Sequence, residues 1–243
     1  MYSSLKNSLT RFIPKKLLFR IEPILRKCFA IFKRGNHHTC VICDFNASDW
    51  VHLQNHDLLC PNCGSLARDR RLWKILKEQY IKTNIDILDF SPSRSLFRKW
   101  KKEQNVNHIA SDLSGDFIAD VTYDITQIPE KENTFDLIIC YHILEHVIED
   151  VKAMSELHRI LKPNGTIIIQ TPFKEGEIYE DYSITSEADR LLHFGQEDHV
   201  RIYSVEGLKK RLESVGFTVN IQQFQKDDYL GFSDKEITFF ATK

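Results

Sequence analysis

From residue 84 onward, apolar runs alternate with amphipathic stretches. "IDILDF" (85–90), "HIASDL" (108–113), "FDLIICY" (135–141) and "GTIIIQT" (165–171) read as strands, and "DVTYDI" (120–125) as a further short one. Residues 94–104 and 148–161 carry the helical period between them. "SVEGLKKRLESVGF" (204–217) predicts a helix closed by Gly216, followed by "TVNIQQF" and "EITFFAT" as final strands. Repeated strand–helix units imply an α/β fold with a mostly parallel sheet covered on both faces. In such sheets the ligand lies beyond the carboxyl ends of the strands.

The first third of the chain has a different pattern. Leu17, Ile21, Leu25, Cys28 and Phe32 recur every three or four residues, interrupted by Pro14 and Pro23, which predicts one or two short amphipathic helices within an arm over residues 1–35. The net charge of −1 changes the meaning of that arm. Residues 1–34 hold nine Lys/Arg against one acid, Glu22, about +8, which leaves about −9 for the remainder. A basic amphipathic helix suits a peripheral contact with an anionic membrane surface, and equally a seat on the protein body or a partner.

Two C-x-x-C pairs follow, Cys40/Cys43 and Cys60/Cys63, separated by 16 residues. That spacing predicts a zinc-ribbon-like module over residues 36–66 with a closed, structural Zn²⁺ site. His37, His38, His52 and His56 could replace a ligand, but four thiolates need none of them. Paired cysteines point to a reducing compartment, and no stretch reads as a signal peptide or membrane span, so a cytoplasmic location is expected, extending to the inner membrane surface if the arm binds lipid. The next segment, residues 66–80, places Leu72, Ile75, Leu76 and Tyr80 on one stripe among Arg68, Arg70, Arg71, Lys74 and Lys77. A helix with a basic, solvated outer face is expected there.

Polar residues collect at the predicted strand ends. Asp89 ends the first strand, and Asp112, with Leu113 beside it, ends the second 23 residues later, where an acid accepts from ribose hydroxyls. Asp124 and Ile125 follow the third, and Tyr141 and His142 the fourth. In register with successive strands, these residues favour an adenosine site.

The segments "ILDF", "SDL", "YDIT", "ENTFDLIICYHILEHV", "AMSELHRILKPNGTIII" and "HFGQEDHVRIYS" resemble the class I S-adenosylmethionine-dependent methyltransferases of the type 11 group. "CPNCGSLARDRRLW" is similar to a zinc-ribbon segment that precedes this domain in one bacterial branch, so the likeness covers residues 36–243. The resemblance implies a Rossmann-like sheet with an antiparallel last strand, a methyltransferase domain over 67–243, and a lid or insertion at about 172–203. It also implies S-adenosyl-L-methionine as cofactor: Asp112 on the ribose, Asp124 and Ile125 at the adenine, the turn from Asp89 through Ser91 and Ser93 on the methionine part, and Tyr141 and His142 beside the sulfonium. The turn "SPSRS" departs from the family in lacking glycines. A cofactor without phosphate tolerates that loss, whereas a nicotinamide dinucleotide would not.

Methyl transfer needs in-line positioning and, for a hydroxyl acceptor, a base near neutrality. His199, His146 and His142 are the candidates, His199 foremost, with Asp198 to orient it and Arg201 and Tyr203 near the acceptor. An acidic lid and an acidic body favour a small molecule or a glycan or lipid precursor over nucleic acid. Two other readings stay open: a catalytically inactive zinc adaptor, and an RNA-binding or RNA-modifying protein.

Overall fold

The computed structural model describes residues 15–82 and 84–243, which form two compact units. One comprises the chain up to Ile75 together with Gln225–Asp234, and the other Leu76–Phe224 with Lys235–Lys243.

In the first unit, α1 (Lys15–Ile31) is one helix with Pro23 inside it, where two were conceivable; Pro14 lies outside the described residues. Four short strands follow: β1 (Arg34–Thr39), β2 (Asn46–Ala47), β3 (Val51–His52) and β4 (Leu58–Leu59), paired antiparallel as β1–β2 and β3–β4. Helix α2 (Ala67–Ile75) comes next, shorter than the predicted 66–80. Arg70 and Arg71 correct the expectation of a solvated basic face, whereas Arg68 stays partly exposed. Arg70 is fully buried beneath the Trp50 ring, 4.2 Å from its centroid, and donates to the carbonyls of Leu58, Ser65, Leu230 and Gly231 at 2.6–3.1 Å. Arg71, also buried, donates to the carbonyls of Gln225 and Ser233. The loop 225–234 is therefore held to α2 by guanidinium forks, which offer more donors than the ammonium of lysine. Gly231 needs its missing side chain here: at φ +65° a Cβ would meet Trp50 at 2.5 Å.

The second unit opens on a π-helical turn, Leu76–Tyr80, and builds a six-stranded sheet. Its strands are β5 (Ile85–Phe90), β6 (Val106–Ser111), β7 (Phe135–Tyr141), β8 (Leu161–Gln170), β11 (Thr218–Phe224) and β12 (Glu236–Thr242), in the order β11-β12-β8-β7-β5-β6. β6, β5, β7 and β8 are mutually parallel, and β12 runs antiparallel to both neighbours, as expected. Ile87, Leu88, Leu137, Ile138, Ile139 and Ile167–Ile169 are all buried, the continuous apolar run of strands covered on both faces. Helices α3 (Arg94–Trp100), α4 (Asp150–Ile160), α5 (Glu187–Phe194) and α6 (Val205–Ser214) complete the unit, with β9 (Tyr179–Glu180) and β10 (Arg201–Ile202) pairing inside the 172–203 insertion.

Several boundaries move for identifiable reasons. α3 stops at Trp100 because Lys102 and Glu103 donate to Lys99 and Trp100, tightening the last turn. Residues 120–125 make only isolated bridges, Ser111 with Val121 and Asp124 with Gln127. Side chains take the ladder's donors there: Ala110 N–H gives to Asp120 and Tyr123 N–H to Ser111 Oγ. Gly216 stands just beyond α6 with φ +105°, as its position in the sequence implied.

Candidate functional site

The cysteine unit consists of two matching turns. In each, a residue directly after the second cysteine takes a left-handed backbone, Asp44 at φ +56° and Gly64 at φ +78°, and returns its N–H to the carbonyl of the first cysteine. The turns bring Cys40 Sγ to 3.7 Å from Cys63 Sγ and Cys43 Sγ to 3.8 Å from Cys60 Sγ, with all four within 4.8 Å. A disulfide would be near 2.05 Å. Metal–sulfur bonds of about 2.3 Å give tetrahedral edges of about 3.8 Å, so the four sulfurs fit a zinc ion. Hydrogen bonding within the cluster, from Cys43 foremost, lowers the Cys40 thiol and raises those of Cys43 and Cys63, so the four sulfurs titrate as one group. Asn62 Nδ2 and Ser65 Oγ also lie against the sulfurs, at 3.3 Å from Cys43 and 3.2 Å from Cys63. Among the described residues, no histidine joins the four.

In the sheet unit, β5 lies between β6 and β7, and the chain leaves β5 toward one neighbour and returns on the other side. This is the switch point where open α/β sheets bind ligands. The turn "SPSRS" begins with Ser91 at φ +48°, a left-handed conformation rare without glycine. Ser91 N–H donates to the Ser111 carbonyl at 2.7 Å and its hydroxyl to Asp112 at 2.8 Å, and these bonds offset the strain. Ser93 caps α3 by accepting from Leu96 N–H and touches Ser95 Oγ at 2.9 Å.

Asp112, at the end of β6, is buried yet heavily coordinated, accepting also from Ser114 Oγ, Gly115 N–H at 2.6 Å and Phe117 N–H. Leu113 beside it is exposed. Asp124 is exposed and caps Thr126, whose backbone hydrogen bond, followed by that of its hydroxyl, lowers the carboxyl's pKa; Ile125 packs into the core.

Asp89 differs from this set. It is 1% exposed, and its carboxylate accepts from Trp100 Nε1 at 3.1 Å and lies 3.4 Å from His108 Nε2, while burial raises its pKa. Its contacts anchor α3 and β6 rather than face the strand ends, so Asp89 stands apart from Ser91, Asp112 and the β7 residues.

After β7 the half-buried Tyr141 is followed by His142 at φ +54°, whose N–H donates to the Gln170 carbonyl. The His142 ring bridges Glu145 Oε1 through Nδ1 and Gln170 Oε1 through Nε2, each at 3.1 Å. Glu145 is almost wholly buried. Burial alone would raise its pKa, but the hydrogen bond and charge of His142, with His146 beyond, bring it below the ordinary value. Neither Glu145 nor Gln170 was among the expected site residues; an acid three positions after a histidine in "HILEHV" was the available signal.

His199, the foremost candidate base from the sequence, lies inside the fold. It is 2% exposed, its Nδ1 lies 3.3 Å from the Phe194 carbonyl, and burial, followed by the His146 charge, depresses its pKa. Asp198 pairs with His146 instead, at 3.1 Å. The His146 and His199 rings meet edge to face, 4.7 Å apart. Arg201 and Tyr203 are fully buried in a structural network with Asp150, Glu180 and Arg211, and neither faces an acceptor.

Residues 64–222, more than half of the chain, match the family described as "Methyltransferase domain". The chain belongs to that family. A protein of Methanocaldococcus jannaschii is 35% identical to it over 85 residues, 33% of this chain and 37% of the relative. The tRNA U34 carboxymethyltransferase of Nautilia profundicola is 27% identical over 120 residues, 43% of this chain and 40% of the relative. The matches thus span about two fifths of the curated relatives' length. A SAM-dependent methyltransferase from Archaeoglobus fulgidus superposes with a TM-score of 0.53 at 20% identity, over 72% of this chain and 93% of that one. At that identity the likeness is one of fold, and it agrees with the class I methyltransferase domain built by β5–β12.

Proposed function

We propose that the methyltransferase domain transfers the methyl group of S-adenosyl-L-methionine to a hydroxyl oxygen of a small molecule or of a glycan or lipid precursor. The observation that carries this reading is the placement of two polar pairs at the carboxyl ends of adjacent strands: Ser91 with Asp112 after β5 and β6, and His142 with Glu145 after β7. When bound, the cofactor supplies an electrophilic methyl on a positively charged sulfur. Asp112 is the ribose acceptor in this reading, with Ser91, Ser93, Leu113, Asp124 and Ile125 around the cofactor and Tyr141 at its reactive end. Asp89 is left out of that set because its carboxylate is held by Trp100 of α3 and His108 of β6, whereas the Asp112 carboxylate is held by Ser91 of the turn and the 114–117 loop at the strand ends. His142 is the base in this reading: Glu145 fixes its ring through Nδ1, and the acceptor hydroxyl takes the place of the Gln170 amide at Nε2. Cys40, Cys43, Cys60 and Cys63 hold one structural zinc.

The test is calorimetric titration with S-adenosylhomocysteine. A dissociation constant near micromolar, about 8 kcal/mol, is expected for the native chain, weakened at least tenfold by Asp112→Ala. A folded, zinc-loaded sample that gives no heat would transfer the reading to a catalytically silent adaptor. RNA as acceptor is less well supported, although one relative acts on tRNA by its name. Arg70 and Arg71 of the basic 66–80 segment, which could otherwise meet RNA phosphates, are spent on carbonyls.

The arm belongs to the same proposal. Along α1, Leu17, Ile24, Leu25, Phe29 and Ile31 are exposed, and Phe32 just beyond it is 85% exposed, within a segment carrying about +8. No described helix is long and apolar enough to cross a membrane. A peripheral contact at the cytoplasmic face fits these features. The protein is expected to co-sediment with vesicles containing phosphatidylglycerol at least fivefold better than with pure phosphatidylcholine, and Phe32→Asp with Ile24→Asp is expected to abolish the difference. Equal partition into both lipids would count against the arm as an anchor.

A further inference from the structure

We propose that Glu145, His146 and His199 form a second metal site, for one divalent cation of the zinc, manganese or cobalt class, which holds an acceptor oxygen beside His142. Nothing in the four-cysteine unit is involved, since each site is made wholly within its own unit.

The three residues come from two segments that the backbone ties together. Glu145 and His146 lie on the 3₁₀ turn Leu144–His146, and His199 precedes Val200, whose N–H donates to the Glu145 carbonyl at 2.9 Å. Each side chain offers one ligand atom, and these atoms all lie within 4.8 Å of one another. These side chains also carry two buried polar atoms for which folding provides no partner: Glu145 Oε2 and His199 Nε2 have no hydrogen bond among the described residues. Buried groups of this kind are ordinarily satisfied, and leaving two in one place calls for an explanation.

The tautomer points the same way. The Phe194 carbonyl can only accept, so His199 Nδ1 carries the hydrogen and Nε2 presents a bare lone pair toward the cluster. Glu145 divides its work similarly, with Oε1 on His142 and Oε2 unused. Asp198 against His146 Nδ1 is the carboxylate partner that metal-bound histidines commonly have. Two imidazoles and one carboxylate suit zinc, manganese or cobalt, and three protein ligands leave coordination positions open, unlike the closed tetrathiolate. A hydroxyl oxygen in an open position would be polarised and placed near His142, which shares Glu145 with the ion. This last role rests on the methyl-transfer reading above; the metal site itself does not.

The experiment is a calorimetric titration of zinc-loaded, full-length protein with Mn²⁺, Co²⁺ and Zn²⁺ in turn, paired with electron spin resonance of free Mn²⁺. One further equivalent is expected to bind at micromolar concentration, with affinity at least tenfold weaker, about 1.4 kcal/mol, in His199→Ala and in His146→Ala. His146, whose side chain is 29% exposed, is the substitution least disruptive to the core and decides the matter if His199→Ala fails to fold. No added equivalent of any ion up to millimolar, or an equivalent whose affinity both variants leave unchanged, would overturn the site and assign the two orphan atoms to a buried water. S-adenosylhomocysteine titrated into the same samples separates the two proposals: cofactor binding without metal defeats only the metal site, and metal without cofactor defeats only the methyl-transfer reading.

Discussion

Stripping zinc with a strong chelator is expected to release one equivalent that depends on Cys60, and to remove amide-exchange protection from residues 40–75 and 225–234 together. Structural zinc contributes about 10–16 kcal/mol in small metal-stabilised domains, more than the whole stability of most domains. Without it, Cys40 and Cys60, both fully buried, would confine thiols against one another inside the unit. The loop 225–234 should lose protection with the cysteines because its carbonyls are the acceptors of Arg70 and Arg71, and α2 begins only four residues after Cys63. Hydrogen exchange read by mass spectrometry on peptides from both segments checks this, with Cys60→Ser as a second route to the same state. Retained protection of 225–234 after complete metal loss would show that the loop is held independently of the cysteines.

Arg201→Met is expected to cost the sheet unit about 3–5 kcal/mol, the usual penalty for removing one partner of a buried ion pair. Arg201 is 0% exposed. Its guanidinium donates to Glu180 at 2.9 Å, to the carbonyls of Leu144 and Ile148 at 3.1 and 2.9 Å, and to that of Val147. Asp150 completes the network through Tyr203 at 2.5 Å and through Arg211. Methionine fills the space but removes the guanidinium donors of three carbonyls and of the Glu180 carboxylate; among the described residues, only the Leu144 carbonyl of the three keeps other donors, Val147 N–H and Tyr203 Oη. A loss of this size corresponds to a melting-point drop of roughly 6–20 °C for a unit of this length. Arg201→Lys should recover only part of it, because one ammonium cannot reach acceptors arrayed around a planar fork. Denaturant unfolding followed in the far ultraviolet measures the effect; a loss under 1 kcal/mol would mean that the network is satisfied by water. The consequence reaches the site as well, since the carbonyls of residues 144, 147 and 148 belong to the segment bearing Glu145 and His146.

The contrast between Arg201 and His142 shows where sequence reading succeeds. His142 follows a strand whose apolar run is unmistakable, so its position at the sheet's carboxyl edge was legible from "FDLIICYH". Arg201 stands in a polar insertion without periodicity, where its charge reads as a contact for an acceptor. Its burial depends on carbonyls more than fifty residues earlier, which no local pattern announces. The same cause displaced Arg70 and Arg71, whose acceptors lie some 160 residues later in chain order. Asp89 shows a related cause: strand alternation tells that a residue faces one side of the sheet, but only the packing sets Trp100 and His108 against its carboxylate.

By itself the sequence determined the α/β class, the six principal strands, the antiparallel final pairing through its family likeness, and the four-cysteine cluster. Each rests on local signals: side-chain period, left-handed turn residues, and two short C-x-x-C loops that can close only on a common centre. The tertiary structure alone decided which polar side chains face the switch point and which are consumed inside the fold, and it alone brought Glu145, His146 and His199 together. Hydrogen-bond acceptors and desolvation act through space. A histidine or arginine therefore acquires its role from whichever distant carbonyl or carboxylate the packing of the sheet sets beside it.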